Sequence, residues 1–422
     1  MNSADRHMTR PCTLIRRASN LGKWHKGTQE LVALSSVLGN IANAGSSYPD
    51  RSQLPGQRAR IRGFDGLRAI AFLLVFASHK IYFAHAESFG DIGVWLFFVL
   101  SGFLITRNLA SERGAIELGD ATVAYSLARF YLRRTARIFP PYYLLLGIFT
   151  LVSLFVRIQY FGFSEKLAYY LYGTNILVAY RGQWIGQFGH LWSLAIEEQF
   201  YLAFAPLILL CPQRHALNVC LAMIFTGVVT KILLEANGHS PISIDVNSLV
   251  NFSLIGFGGV IGLKANRPAP NVLCSGAAQA AVLLVYVGLA TAFGTWTHAW
   301  SLSGKLSAAL VGALLFQIMH GQQSWLVRIL ESAPLKNIGR ISYGAYLIHP
   351  FLHFGAIVNV LQPLDVGPAA RYIRVLAELL GSLIIAGLSW QFLEAPIVEW
   401  AAKRCPQHLR RVRREPHKAF DR

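Results

Sequence analysis

Charged residues are scarce in this sequence, since Asp, Glu, Lys and Arg make up 14% of its 422 residues. Soluble domains carry about 25% charged residues. Hydrophobic residues reach 54%, and the mean hydropathy is +0.41. This composition excludes a disordered chain and argues against a soluble globular enzyme. It predicts a protein that crosses a membrane several times.

Paired cysteines and acidic residues are also in short supply. The five cysteines are an odd number without C-x-x-C spacing, so we expect neither a disulfide framework nor a metal site. The 21 acidic residues face 39 Lys and Arg residues, which gives a formal net charge of +18. In a membrane protein such an excess is typical of cytoplasmic loops and tails, so we expect no nucleic-acid partner.

Long apolar runs are what the sequence has in abundance. A membrane-spanning helix needs about 20 mainly apolar residues. Ten stretches meet this requirement, namely 66–84, 92–110, 138–157, 190–210, 217–235, 247–264, 272–293, 301–319, 339–361 and 373–393. The predicted fold class is therefore all-α, a polytopic transmembrane bundle of about ten spans. The Tyr-rich segment 167–180 is shorter, and we interpret it as one interfacial or re-entrant helix.

The basic residues predict the orientation of these spans. With a cytoplasmic N-terminus, thirty of the 39 Lys and Arg residues fall on the cytoplasmic side and eight on the other. We therefore expect both termini in the cytoplasm. The chain divides into a basic N-terminal tail (1–62), a transmembrane domain (63–397) and a basic C-terminal tail (398–422).

The N-terminal tail contains a short apolar pattern. Leu31, Leu34, Leu38 and Ile41 recur at helical spacing, which predicts an amphipathic helix on the membrane surface. A cleaved signal peptide is the alternative, because small residues follow this run. The run is short for a signal peptide, so the surface helix is our preferred interpretation.

Ionisable residues inside spans are candidate functional residues, because their burial is costly. Arg68 and His79 lie 11 residues apart in the first span. This spacing is close to three helical turns, so both share one face about 16 Å apart along the axis. They could line one channel. Alternatively, Arg68 snorkels to lipid phosphates and His79 is a structural histidine.

Arg134 and Arg137 form an R-x-x-R pair at the predicted cytoplasmic mouth of the third span. Guanidinium groups bind phosphate bidentately, so the pair suits a phosphate-rich ligand. Ordinary anchoring of the span by cytoplasmic arginines is the alternative interpretation.

Two adjacent carboxylates open the fourth span. Glu197 shares a helix face with His190 and Ser193, whereas Glu198 points about 100° away. A buried carboxylate suits acid–base chemistry. A structural ion pair with an arginine of another helix is the alternative.

Two other polar positions are expected to be structural. We interpret His349, in the ninth span, as a packed histidine of the bundle. The Ser101–Gly102 step predicts a close approach between two helices rather than a nucleophile.

Six motifs in this order resemble the acyltransferase 3 family of integral-membrane O-acyltransferases, over about residues 62–400. They are FDGLRAIA (64–71) with His79, FFVLSGFLI (97–105), RTARIFP (134–140), LWSLAIEEQFY (191–201), ISYGAYLIH (341–349) and SWQFLEAP (389–396). Members of this family modify O-antigens, exopolysaccharides, peptidoglycan, nodulation factors and some macrolides.

The resemblance implies roles for individual residues. His79 is implied as the catalytic centre, and Glu197 as the motif glutamate that orients the imidazole or carries its proton. Arg68, Arg134 and Arg137 are implied to handle acyl-CoA. No bound cofactor is expected, since acetyl-CoA or another acyl-CoA serves as co-substrate.

Three features depart from the family pattern. Trp95 stands where many members have an acidic residue, and Asn251 stands where an Arg or His is frequent. The long basic N-terminal tail is not part of the family core. The resemblance therefore assigns no residue to the positioning of His79 at Trp95 and no contact with the acceptor at Asn251.

The sequence thus predicts a membrane enzyme that moves an acyl group, most simply acetyl, from acyl-CoA to a hydroxyl of a cell-surface or exported glycan. The expected partners are acyl-CoA, a glycan or lipid-linked saccharide, and membrane lipids, and the expected location is the bacterial inner membrane. An antibiotic or a lipo-oligosaccharide signal is an alternative acceptor. A proton-coupled transporter is the alternative from another class, although no inverted repeat supports it.

Overall fold

The computed structural model describes residues 61–81, 86–156, 162–264, 271–293, 300–353 and 369–405. These residues form helices and their connections, with no strand among them. In chain order the α-helices are α1 (Phe64–Lys80), α2 (Ala86–Glu117), α3 (Val123–Val156), α4 (Phe163–Tyr170), α5 (Thr174–Arg181), α6 (Leu191–Leu210), α7 (Ala216–Ala236), α8 (Pro241–Asp245), α9 (Ser248–Lys264), α10 (Gly276–Phe293), α11 (Trp300–His320), α12 (Trp325–Leu330), α13 (Ala333–Ile348), α14 (Ala369–Ser389) and α15 (Ala395–Arg404). The predicted all-α class is confirmed for this part of the chain.

Among the residues that the structure describes, five helical segments are long and apolar enough to cross a membrane. They are Phe89–Glu117, Val123–Phe155, Gly186–Leu210, Gln213–Ala236 and Ala369–Arg404. Each of the other five predicted stretches overlaps a shorter helix, so the number of ten spans stays a prediction. The predicted amphipathic helix and the alternative signal peptide lie outside the described residues.

Helix α1 lies between two apolar clusters and belongs to both. Phe72 packs in a cluster with residues of α2, α3, α6 and α13. Leu67 packs in a second cluster with residues of α2, α10, α11 and α12. Because two adjacent faces of α1 are buried, one in each cluster, its orientation about its own axis is determined by packing.

Glycines allow the closest helix contacts. A Cβ atom on Gly102 of α2 would lie 1.9 Å from the carbonyl oxygen of Ile255 in α9, so only a glycine fits there. This confirms the predicted close approach at the Ser101–Gly102 step. Gly339 of α13 is equally close to α1, since its Cβ would lie 1.8 Å from the carbonyl oxygen of Asp65.

The segment that we predicted as one interfacial helix is two helices, α4 and α5. The chain turns between them at Tyr172, which has a φ of 53° and is followed by Gly173. The Tyr172 ring stacks on Tyr142 of α3 with centroids 4.4 Å apart. Packing of this aromatic ring offsets a backbone conformation that side chains rarely adopt.

Helix α13 ends earlier than the predicted span 339–361. It ends at Ile348 and continues as a short 3₁₀ turn, His349–Phe351. Pro350 lacks a backbone N–H, so it cannot continue the α-helical hydrogen-bond ladder. His349 therefore lies at a helix end and not in the middle of a continuous helix.

Candidate active site

Five helices enclose a cavity in the bundle. Residues of α1, α2, α3, α6 and α13 line it, and it holds about 680 Å³ of space outside protein atoms, including its mouth. Arg68, Arg134, Arg137 and Glu197 all line this cavity. Four of the five site residues that the sequence predicted are therefore brought together, although they come from three different helices.

The arginines lie against aromatic rings and a carboxylate. Arg134 lies over the ring of Tyr201, with its guanidinium carbon 5.2 Å from the centroid. Arg137 lies over Trp390 at 6.0 Å. Arg68 pairs with Asp65 one turn earlier, at 3.4 Å. Stacking holds a guanidinium plane in place while its edge can still donate hydrogen bonds.

The two adjacent glutamates of α6 have different surroundings, as their 100° separation predicts. Glu197 accepts hydrogen bonds from the hydroxyls of Ser101 (2.7 Å) and Tyr201 (3.2 Å). Glu198 instead lies in electrostatic range of Tyr142 and Tyr143. Glu197 is therefore the carboxylate of the cavity.

His79 lies at the other end of α1, where its partner is a second histidine. Its Nδ1 lies 2.8 Å from Nε2 of His349, and the two ring planes differ by 7°. Both Arg68 and His79 thus face α13 and the turn that follows it, as their spacing predicts. We expected Glu197 to orient the imidazole or to carry its proton, and the side chain that forms a hydrogen bond with the His79 ring is that of His349.

The surroundings of this histidine pair are a mixture of aromatic rings and one buried ion pair. His349 is completely buried, whereas His79 is exposed. Lys80, the next residue, is buried and forms an ion pair with Glu378 of α14 at 3.1 Å. Its ammonium group also donates to the carbonyl oxygen of Leu352 at 2.6 Å. These contacts hold the end of α1 against α14 and against the segment that follows the 3₁₀ turn.

A π-helical turn, Trp390–Glu394, separates α14 from α15. Ser389 donates to the Glu394 carboxylate across this turn at 2.9 Å. Trp390 supplies the ring beneath Arg137, and the buried Glu394 lies in electrostatic range of the same arginine. Such π-helical turns are frequent at functional sites. The SWQFLEAP motif identified this segment as part of the family pattern. Its contact with Arg137 is tertiary and could not be predicted from the sequence.

The two positions that depart from the family pattern are structural here. Trp95 is buried in the apolar cluster that contains Leu67. Asn251 is buried and donates to the carbonyl oxygens of Asp245 (2.6 Å) and Asn247 (2.9 Å). Trp95 thus contributes to packing, and Asn251 caps the end of a helix.

This arrangement can do two kinds of chemistry. Three guanidinium groups around one cavity can bind a multiply charged anion. A histidine with one nitrogen hydrogen-bonded and an exposed ring can transfer protons at the other nitrogen. The two sites are on one helix, about 16 Å apart along its axis.

Comparison with known proteins adds a family to this geometry. A family model described as an acyltransferase domain matches residues 61–394. The chain is 26% identical to the peptidoglycan O-acetyltransferase OatA of Listeria monocytogenes over 81% of its own length and 56% of that relative. It is 28% identical to the putative peptidoglycan O-acetyltransferase YrhL of Bacillus subtilis, over 80% of the chain and 55% of the relative.

A putative O-acetyltransferase of Staphylococcus aureus is 26% identical, over 83% of the chain and 60% of the relative. The chain therefore spans little more than half the length of the curated relatives it matches. No solved structure matches it. Because the family model covers most of the helical part, this chain belongs to the acyltransferase 3 family.

Proposed function

We propose that this chain is a membrane O-acyltransferase that moves an acyl group, most simply acetyl, from acyl-CoA to a hydroxyl of a cell-surface or exported glycan. The observation that carries the proposal is the cavity in which Arg68, Arg134, Arg137 and Glu197 meet, at one end of the helix that bears His79. Family membership supports acyl transfer. Its similarity to OatA, a peptidoglycan O-acetyltransferase, and to YrhL, a putative one, supports a glycan acceptor.

The donor is proposed to bind through its charge. Acyl-CoA carries several phosphate charges, which suit the guanidinium groups of the cavity. Its slender pantetheine arm would extend along α1 and bring the thioester towards His79. Acyl-CoA is thus a co-substrate in this proposal, and no resident cofactor is needed.

The proposed step uses His79 as a general base. Its Nε2 accepts the proton of the acceptor hydroxyl while the oxygen attacks the thioester carbonyl carbon. A carbon–oxygen bond forms and the carbon–sulfur bond breaks. The imidazolium then returns the proton to the CoA sulfur, so the products are an ester and free CoA thiol. Glu197 acts in the cavity, where it accepts hydrogen bonds and balances the arginines.

The proposed topology places the donor site on the cytoplasmic side. The distribution of basic residues assigns several helix ends to the cytoplasm, and these ends contact one another. For example, Arg129 of α3 pairs with Glu112 of α2. Arg113 donates to the carbonyl oxygen of Leu209, and Arg133 donates to that of Cys405. We propose ten spans in the bacterial inner membrane, with both termini cytoplasmic and with membrane lipids around the bundle.

The test is transfer of radiolabelled acetyl from acetyl-CoA into the glycan fraction of bacterial membranes that contain the protein. We expect label with the wild type that mild alkali releases as acetate. A His79→Ala variant should lose at least about 100-fold of this activity, the lower range for a general base. Equal label with wild type and variant would contradict the role of His79. Proton-coupled solute flux without acyl-CoA would instead support a transporter.

A further inference from the structure

We propose that His349 is a positioning residue that holds His79 in the tautomer a general base requires. This inference rests on the proposed function. A chain of hydrogen bonds runs from the carbonyl oxygen of Tyr346 through the ring of His349 to Nδ1 of His79. Each of these hydrogen bonds has a defined donor and acceptor. Together they leave the lone pair of His79 at Nε2, the nitrogen that meets the acceptor hydroxyl.

The first hydrogen bond determines the tautomer of His349. Its Nδ1 lies 2.7 Å from the carbonyl oxygen of Tyr346. A carbonyl oxygen can only accept, so Nδ1 of His349 carries the proton and donates. In the neutral ring Nε2 of His349 is then an acceptor. It lies 2.8 Å from Nδ1 of His79, so His79 must donate from Nδ1 and keep its lone pair on Nε2.

The sequence explains why the Tyr346 carbonyl is available. In an α-helix this carbonyl would accept from the backbone N–H four residues later, which is that of Pro350. Proline has no N–H, so the carbonyl is left for the side chain of His349. The dipeptide His349–Pro350 thus contains both the ring and the residue that frees the ring's partner.

The surroundings favour a neutral His349. The ring is completely buried, with Phe72 and Phe76 at centroid distances of 6.1 and 6.3 Å. Lys80, which carries an ammonium group, directly follows His79 in the chain. The ring of His190 lies 5.7 Å from the ring of His349, centroid to centroid. A second buried cation beside Lys80 would be unfavourable. The neutral ring with a defined tautomer is therefore the state that fits.

The two rings also differ in their access to other molecules. His349 is completely buried, while more than a third of His79 is exposed. Their planes differ by only 7°, which agrees with a hydrogen bond that lies in both ring planes. His349 thus forms a hydrogen bond with the Nδ1 edge of His79 and leaves the Nε2 edge open to the acceptor. This division resembles the buried partner and reactive imidazole of hydrolase triads, with a neutral ring in place of a carboxylate.

Two substitutions separate this role from packing. The side chain of His349→Asn places an amide near the position of Nδ1, so it keeps the hydrogen bond to Tyr346 but offers His79 no acceptor. The side chain of His349→Gln reaches the position of Nε2, so its oxygen can accept from His79. Acetyl-transfer kinetics would be measured for both in lipid nanodiscs, with acetyl-CoA as donor and purified peptidoglycan as the acceptor probe.

We expect His349→Asn to lower kcat about 100-fold, as loss of a correctly poised general base does, with little change in KM for acetyl-CoA. We expect His349→Gln to stay within about tenfold of the wild type. If His349 had only a packing role, His349→Gln would lose more kcat than His349→Asn, or both would lose activity in proportion to their loss of thermal stability. Asn at least as active as Gln, or a change confined to KM, would overturn the proposal.

A second measurement decides the proposal even without an acceptor. Nitrogen-15 NMR of histidine-labelled protein in nanodiscs distinguishes protonated from bare ring nitrogens, with His79→Ala identifying the His79 signals. We expect His79 to be protonated at Nδ1 and bare at Nε2, and to lose this preference in His349→Asn. A preference that is absent, or unchanged in the variant, would contradict the relay. A wild type with the expected signals but no acetyl transfer would refute the proposed function alone.

Discussion

The two ends of α1 differ in charge, in access and in the chemistry that they allow. At the end of Arg68 the structure collects guanidinium groups, a carboxylate and aromatic faces around a cavity. At the end of His79 it collects imidazole rings and backbone carbonyls. The difference supports the proposal that a charged donor binds at one end of this helix and that proton transfer takes place at the other.

This separation has a physical reason. Positive charge binds phosphate, whereas a general base needs a lone pair on one ring nitrogen, which a hydrogen-bonding partner at the other nitrogen defines. Guanidinium groups next to His79 would disfavour the imidazolium formed during transfer. Lys80, the cation that follows His79 in the chain, is paired with Glu378, which also lies 3.8 Å from Arg374.

The largest effect is expected at the histidine end, from Glu378→Gln. The side chains of Lys80 and Glu378 are only 4% and 3% exposed, so the substitution leaves a buried ammonium group without its carboxylate. We expect a loss of about 3–5 kcal/mol in the free energy of unfolding, measured by reversible unfolding in mixed micelles. Glu235→Gln is the control, because the Glu235 side chain is 45% exposed and its partner Lys231 also lies in electrostatic range of Asp245, and it should cost less than about 1 kcal/mol. Equal losses in the two variants would contradict the buried pair.

The next effect is expected at the arginine end, from Gly339→Ala. The added Cβ would lie 1.8 Å from the carbonyl oxygen of Asp65, so α13 must move away from α1. We expect a loss of about 1–3 kcal/mol, typical of overpacking, together with a higher KM for acetyl-CoA. Gly147→Ala in α3 is the matched control, since nothing lies within 4 Å of its added Cβ, and it should be neutral or stabilising.

The smallest effect is expected outside both ends, in the pair of short helices α4 and α5. Burial alone would raise the pKa of Glu165, but hydrogen bonds from Arg181, from backbone N–H and from Ser164 lower it below its usual value. A lowered folded pKa stabilises the protein above the unfolded pKa, near about 4.3, and this stabilisation is lost as the pH falls through the folded pKa. Glu165→Gln should flatten that pH dependence of unfolding and leave acetyl transfer unchanged. An unchanged pH dependence in the variant would contradict the assignment.

The all-α class could be predicted from the sequence, because long apolar runs indicate helices, whereas the number of ten spans stays a prediction. The two glutamates of α6 separate as their spacing predicts, and Gly102 makes the close contact that a small residue allows. The break between α4 and α5 was missed, since the stacking of Tyr172 on Tyr142 is a tertiary contact.

The candidate site was only partly readable. The motifs named Arg68, Arg134, Arg137, Glu197 and His79, but no pattern in one sequence pairs His79 with His349, 270 residues away. His349 was interpreted as a packing residue because an isolated histidine in an apolar helix is usually that. The proline after it was the available signal, since it predicts a free carbonyl one turn earlier.

The most direct test of the two-ended site measures acetyl-CoA binding and acetyl transfer separately in nanodiscs, for His79→Gln and Arg137→Gln. Removing one charge-assisted phosphate contact should raise the Kd and KM for acetyl-CoA about tenfold in Arg137→Gln, with kcat little changed. His79→Gln should bind acetyl-CoA like the wild type and transfer almost none of it. Loss of binding in His79→Gln, or a lower kcat with unchanged KM in Arg137→Gln, would contradict the separation of binding from proton transfer.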